Sequence, residues 1–229
     1  MTNASGTNLG EHSESASTRP TDEPRKRGRF IVLEGGEGAG KSTNARYIKS
    51  WLEARGRKCI VTREPGGSPL AESIRELVLG WKGEMPAQTE LLLMFAARSA
   101  HLASTIEPAL SMGTDVICDR FVDSTYAYQG AGRGIPAAEI NALEQMVVRD
   151  WQPDLVILFD LEPKAGLART QERGEQNRFE AEHLEFQHRV RKIFLERARR
   201  GAHRYSIVDA GRGLVEVQAD LARILEQRL

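Results

Sequence analysis

Five short runs of apolar, β-prone residues recur along the chain, and each gives way to a polar or glycine-rich break and then to helical spacing. The runs are Phe30–Leu33, Lys58–Thr62, Asp115–Asp119, Leu155–Asp160 and His203–Val208. Leu155-Val156-Ile157-Leu158-Phe159 is the most continuously apolar, as a strand covered on both faces should be. Between these runs the periodicity predicts helices over Thr43–Ala54, Pro69–Leu79, Ala87–Met112 (bent near Pro108), Pro136–Val148, Pro163–Glu172 and Leu214–Leu229. A charged helix running to Arg200 follows a polar segment at 173–178, and Ser124–Gly134 begins with helical spacing and ends in a glycine-punctuated loop. Strands alternating with helices predict an α/β fold of three layers, α/β/α, around a five-stranded, doubly wound parallel sheet.

Residues 1–28 fall outside this pattern. They are rich in Ser, Thr, Asn, Gly and Glu without periodic apolar positions, which predicts a disordered tail ahead of a domain over 29–229. The tail lacks the apolar core of a secretory signal, and Glu11, Glu14, Asp22 and Glu23 are unlike a transit peptide. Lys+Arg and Asp+Glu are equal at 32 each, so no net field draws the chain toward nucleic acid or an anionic membrane. No apolar run reaches the length of a membrane span. Cys59 and Cys118, the only cysteines, sit inside strand-like runs and read as small hydrophobes in a reducing, cytoplasmic setting.

Chemistry enters at the end of the first strand. Gly35, Gly40, Lys41 and Ser42 match the spacing G-x-x-x-x-G-K-[ST], between a strand and a helix as that motif requires. Glycines let backbone N–H groups turn inward on phosphates, and the following helix presents its positive end to them. The loop Gly35-Gly36-Glu37-Gly38-Ala39-Gly40-Lys41-Ser42-Thr43 is therefore the candidate site for the phosphates of a nucleoside triphosphate. Lys41 would reach the β- and γ-phosphates, and the Ser42 hydroxyl would ligate Mg²⁺.

No N-K-x-D guanine-reading motif is present, and the chain is too short for a motor or large ATPase. Arg63, Arg75, Arg98 and Arg120 fall at strand ends or on helices near them, and Arg169, Arg173 and Arg178 form a second cluster. Arginine supplies permanent, bidentate charge for holding a second anion beside the first. The pattern points to a kinase for a small phosphorylated acceptor. A nucleotide-dependent switch remains an alternative, although a switch has no need of a second anion site.

Thr62-Arg63-Glu64-Pro65-Gly66-Gly67, then Asp119-Arg120-Phe121, then Ser124-Thr125-Tyr126-Ala127-Tyr128-Gln129-Gly130 with Gly132-Arg133-Gly134, resemble the bacterial thymidylate (dTMP) kinases. The resemblance runs from Phe30 to the C-terminus. It implies a P-loop kinase fold with a small lid over about 169–180, ATP as co-substrate with Mg²⁺, dTMP as acceptor and a homodimer. The apolar stretch Leu91–Ala97 and the helix from Asn141 to Val148 would suit the dimer face.

The resemblance also implies roles. Glu37 would sit near the acceptor's 3′-hydroxyl and the transferring phosphate; Arg75, helped by Arg120, would clamp the acceptor phosphate; Asp119 would orient Mg²⁺ through water. Arg98, Thr125 and Gln129 would read the pyrimidine, Arg63 would line the acceptor site, and Tyr128 would pack where a 2′-hydroxyl would project. Where the family usually has a stacking Phe, this chain has Met94 with Phe95 beside it, and either could face the base. Gly38 occupies the position at which some members carry a catalytic arginine. That role would pass to the lid, with Arg173 and Arg178 as candidates.

Overall fold

A computed structural model describes residues 27–172 and 183–229. Five parallel strands form one sheet in the order β2-β3-β1-β4-β5. They are β1 (Phe30–Gly35), β2 (Cys59–Arg63), β3 (Asp115–Asp119), β4 (Leu155–Asp160) and β5 (Tyr205–Asp209). The connecting helices are α1 (Lys41–Glu53), α2 (Pro69–Gly80), α3 (Ala87–His101), α4 (Glu107–Ser111), α5 (Val122–Thr125), α6 (Ala137–Val147), α7 (Pro163–Glu172), α8 (Leu184–Arg200) and α9 (Leu214–Arg228).

The period-2 pattern of the central strands divides the core. Phe30, Val32, Val116, Cys118, Val156 and Leu158 face a cluster built with α3, α6 and α8, while Ile31, Leu33, Ile117, Ile157 and Phe159 face α1 and α9. Contiguous apolar strands thus bury both faces, as expected for a parallel sheet. The register pairs Leu33 with Asp119, Arg63 with Asp119, Gly35 with Phe159 and Asp160 with Asp209, so the strands end on one common edge. Open α/β sheets bind ligands at that edge.

Local chemistry explains the boundaries. Ser68 accepts the backbone N–H of Ala71, and Pro69 occupies the first turn of α2, where a missing N–H costs nothing. The single long helix expected over Ala87–Met112 is instead interrupted by a π-helical turn at Leu102–Ile106, just before Pro108 in α4. The wider turn absorbs the proline's missing donor and ring, and no kink within an α-helix is needed. The stretch Tyr126–Gly132 is π-helical as well. Helix α1 begins at Lys41, two residues earlier than the spacing suggests.

Two expectations about the tail and the dimer face change in detail. Gly28, assigned to the tail, is buried and donates to the Leu110 carbonyl at 2.9 Å, and Arg27 pairs with Asp154 at 3.3 Å. Residues 1–26 lie outside the described residues. Of Leu91–Ala97, residues Leu91, Met94, Phe95 and Ala97 belong to the core, and Leu92 is the large side chain turned outward.

Candidate active site

At the C-terminal edge of the sheet, β1 ends and the chain wraps from Gly35 to Gly40 into α1. Gly40 sits at φ +82, in the left-handed region where a Cβ is strained. Lys41 folds back over its own loop, donating from Nζ to the carbonyls of Gly35 (3.1 Å) and Gly36 (2.8 Å). Burial and Arg120 lower its pKa, with Asp119, Glu37 and Glu34 acting in the opposite sense.

A cavity of about 260 Å³ opens beside the loop. It is lined by the loop residues Glu37, Gly38, Ala39, Gly40, Lys41, Ser42 and Thr43 and, from outside the loop, by Arg63, Arg75, Met94, Arg98, Asp119, Arg120, Thr125, Tyr128 and Gln129. Gly35 and Gly36 lie behind the loop as carbonyl partners of Lys41 and not in the lining. Four arginines, from β2, α2, α3 and the turn after β3, therefore converge on the space next to the phosphate loop.

Each arginine is held differently. Arg75, on α2, donates Nη1 to the Pro65 carbonyl at 2.7 Å, and burial with the charge of Arg63 lowers its pKa without threatening a guanidinium's charge. Arg63 is half exposed and pairs with Glu72 at 2.9 Å. Arg120 reaches across the cavity floor to the Gly35 carbonyl (2.9 Å), Ser124 Oγ (3.2 Å) and Glu37 Oε1 (2.8 Å). Burial works against its charge, but Glu37, Tyr128, Asp119 and Glu34 hold it firmly protonated.

Glu37 is the carboxylate at the centre. Burial pushes its pKa up, yet Arg120, Lys41, the Tyr128 hydroxyl and Arg75 together keep it below the ordinary carboxylate value. Tyr128 donates its hydroxyl to Glu37 at 3.1 Å, and its ring sits edge-on to Phe186 and Phe194. An anionic Glu37 beside two cations can accept a hydrogen bond from a hydroxyl but cannot neutralise a phosphate.

The deep wall is a buried polar network. Arg98 spends Nε on Glu64 (2.7 Å), Nη1 on Thr125 (3.0 Å) and Nη2 on the Phe121 carbonyl (3.1 Å). Glu64 also takes His101 Nδ1 at 3.1 Å, and His101 Nε2 meets Thr62 Oγ1 at 2.7 Å. Gln129 donates to Glu90 at 2.9 Å. Met94 lines the cavity, whereas the Phe95 ring lies beneath Arg98, with the guanidinium 4.9 Å from its centre. The helical step from 94 to 95 turns the Phe95 ring into the core, where it packs against Arg98 and does not line the cavity.

Ser42 Oγ donates to Asp119 Oδ2 at 2.8 Å, bringing a hydroxyl and a carboxylate together at the loop's edge. Among the described residues no cluster of His, Cys, Asp and Glu could cage a metal alone. Two oxygen donors fit Mg²⁺, which fills most of its shell with water and phosphate oxygens. Arg173 and Arg178 lie outside the described residues. Arg169 donates to the Ala210 carbonyl at 3.0 Å and the Gly38 carbonyl at 3.5 Å, bridging α7 to the loop.

Glu34, Glu64, Phe121 and Ser124 are structural partners that the sequence reading did not single out as site residues. Glu34 left a trace: it is the lone charge in the otherwise apolar run that forms β1.

Comparison with known proteins agrees with this geometry. The thymidylate kinase family model matches residues 33–221. A thymidylate kinase of Pseudomonas syringae pv. syringae is 54% identical over 203 residues, covering 88% of this chain and 97% of that protein. One from Alcanivorax borkumensis is 52% identical over 201 residues, covering 87% and 97%. The crystal structure of thymidylate kinase from Ehrlichia chaffeensis superposes with a TM-score of 0.69 at 31% identity, covering 87% of this chain and 99% of that one. With a phosphate loop, a converging set of arginines and this match over most of its length, the chain belongs to the thymidylate kinase family.

Proposed function

We propose that the cavity holds dTMP and ATP end to end, with the acceptor phosphate between Arg75 and Arg120 and the donor phosphates in the loop Gly35–Thr43. The chain is a dTMP kinase: it transfers the γ-phosphoryl group of ATP to dTMP, giving dTDP and ADP. The observation that carries the reading is the cavity itself, whose lining combines the glycine-rich loop with Lys41 and the guanidinium groups of Arg63, Arg75, Arg98 and Arg120.

The residues act by positioning and neutralisation, with no covalent intermediate. On binding, Lys41 leaves the carbonyls of Gly35 and Gly36 for the β- and γ-phosphates. Arg75 and Arg120 fix the acceptor phosphate in line and offset its repulsion toward the donor. Glu37 accepts the sugar 3′-hydroxyl, while Tyr128 packs where a ribose 2′-hydroxyl would project. Arg98, Thr125 and Gln129 face the pyrimidine edge, Met94 lies against its ring, and Arg63 lines the entrance. Ser42, with Asp119 acting through water, would hold Mg²⁺, which supplies charge neutralisation at the phosphates. An arginine from 173–178, Arg173 or Arg178, would neutralise the transferring oxygens, an effect worth on the order of 10³-fold or more in related phosphoryl transfer.

Two coarser features complete the proposal. Leu77, Leu92 and Met146 are large apolar side chains turned outward on α2, α3 and α6, a surface suited to a second copy of the chain. No helix among the described residues is long and apolar enough to cross a membrane, and a cytoplasmic setting agrees with two free cysteines.

The test is a coupled assay with ATP against dTMP, dUMP, dCMP, dGMP and AMP. Turnover should be highest with dTMP and weaker with dUMP, because one methyl group is worth only about 1–3 kcal/mol. Equal or greater turnover with a purine monophosphate would contradict the reading.

A further inference from the structure

We propose that Glu34 is a positioning residue: its buried carboxylate fixes the turn that aims Arg120 into the cavity, and so tunes the affinity for the acceptor phosphate. The inference rests on the placement of Arg120 on the acceptor side under the proposed function.

Glu34 is 1% exposed and is the last residue but one of β1, next to the phosphate loop. Its Oε1 accepts the backbone N–H groups of Phe121 (2.8 Å) and Ser124 (3.2 Å), and its Oε2 accepts the Ser124 hydroxyl at 2.6 Å. All three donors follow β3 directly: Phe121 lies in the turn and Ser124 in the short helix α5 that continues it. Arg120 opens that turn at φ +71, a left-handed conformation that a non-glycine residue keeps only where its surroundings over-determine it. The surroundings here are β1: the Arg120 N–H goes to the Leu33 carbonyl at 2.8 Å, and the next N–H goes to Glu34. Both peptide groups flanking the strained Cα are thus tied to consecutive residues of one strand.

The side chain is tied to the same point. Ser124 Oγ accepts from Arg120 Nη1 at 3.2 Å while donating to Glu34, and Arg120 Nη2 continues to Glu37. A chain of hydrogen bonds therefore runs Glu34, Ser124, Arg120, Glu37, from the C-terminal end of β1 to the centre of the site. An apolar residue at 34 would satisfy the packing and leave these donors without an acceptor. Burial and the nearby Asp123 push the Glu34 carboxyl up to about 7, so the charge is carried at a cost to the fold, as is common where a group serves a site. Asp123 is itself engaged by the Tyr205 hydroxyl and by Arg197, and is not an alternative acceptor for the turn. Ordinary packing would not select a carboxylate here.

The experiment compares Glu34→Gln with Arg120→Ala in the full chain, measuring KM for dTMP, KM for ATP, kcat and thermal midpoint. Glutamine keeps one acceptor oxygen for the two N–H groups but replaces the oxygen that receives Ser124 with a donor. Glu34→Gln should raise KM for dTMP tenfold or more, leave KM for ATP within twofold, and retain a cooperative thermal transition. An unchanged KM for dTMP in Glu34→Gln, with a large rise in Arg120→Ala, would overturn the positioning role alone. If Arg120→Ala also left KM for dTMP unchanged, the acceptor-side assignment itself would fail. Should Glu34→Gln not fold, Ser124→Ala breaks the same chain at its second link: a several-fold rise in KM for dTMP supports the role, and no change refutes it.

Discussion

Gly38 and Gly166 touch backbone to backbone. A Cβ built on Gly38 would collide with the Gly166 carbonyl, and one built on Gly166 would collide with the Glu37 carbonyl. The phosphate loop is thus seated directly on the first turn of α7, the helix that carries Arg169. Gly38 also sits at φ +69. This chain has no room for an arginine at position 38 unless α7 takes a different seat.

Gly166→Ala separates two opposed effects. Alanine in a helix interior is favoured over glycine by about 0.8–1.0 kcal/mol, whereas forcing a methyl into a filled contact costs about 1–3 kcal/mol. Because the colliding atom is backbone, the second effect should win. The variant should unfold at lower temperature and show a raised KM for ATP; a gain in stability would show that loop and helix are not in contact.

The buried trio Arg98, Glu64 and His101 sets up a thermodynamic cycle. Arg98 is 3% exposed and Glu64 5% exposed, so removing Glu64 leaves a guanidinium buried without its counter-charge. Glu64→Leu should cost about 3–5 kcal/mol, and Glu64→Leu with Arg98→Met should recover much of that loss. Denaturant unfolding of the two single variants and the double variant measures the coupling. The double variant should fold but lose its preference for dTMP over other pyrimidine monophosphates, since the guanidinium proposed to face the base is gone. Additive losses would mean that the pair is not coupled.

Glu34 gives stability a pH dependence of known sign. Its carboxyl lies at about 7 in the folded chain, above the model-compound 4.5, so the folded state holds this proton more tightly than the unfolded state. The associated stabilisation is complete below about 4.5 and is lost as pH rises through about 7, with a total of up to a few kcal/mol. Relative to Glu34→Gln, the unsubstituted chain should lose unfolding free energy between about pH 5 and about pH 8. A difference that stays flat over this range, or grows in the unsubstituted chain's favour, would contradict the burial argument.

Much of this was legible because it is local. The contiguous apolar runs at 30–33 and 155–159 and the spacing of Gly40, Lys41 and Ser42 are properties of short windows, and the sheet and loop follow them. Phe95 was ambiguous because sequence adjacency hides a rotation of about 100° per residue, so Met94 and Phe95 point into different environments. Glu34 and Glu64 were passed over because their partners, Phe121 with Ser124 and Arg98 with His101, lie far along the chain and meet them only through the register of the sheet. The π-helical turns were equally hidden, since a helical period read from hydropathy does not register one inserted residue.

Under the proposed function, two anions are held in one cavity by two separate sets of groups, the loop with Lys41 and the arginines outside it. Equilibrium titration of dTMP and of ATP against Arg75→Ala and Lys41→Ala addresses this division most directly. Arg75→Ala should weaken dTMP tenfold or more while changing ATP affinity less than twofold, and Lys41→Ala should do the reverse. Equal losses of both ligands in either variant would contradict the division of the site into a donor set and an acceptor set of groups.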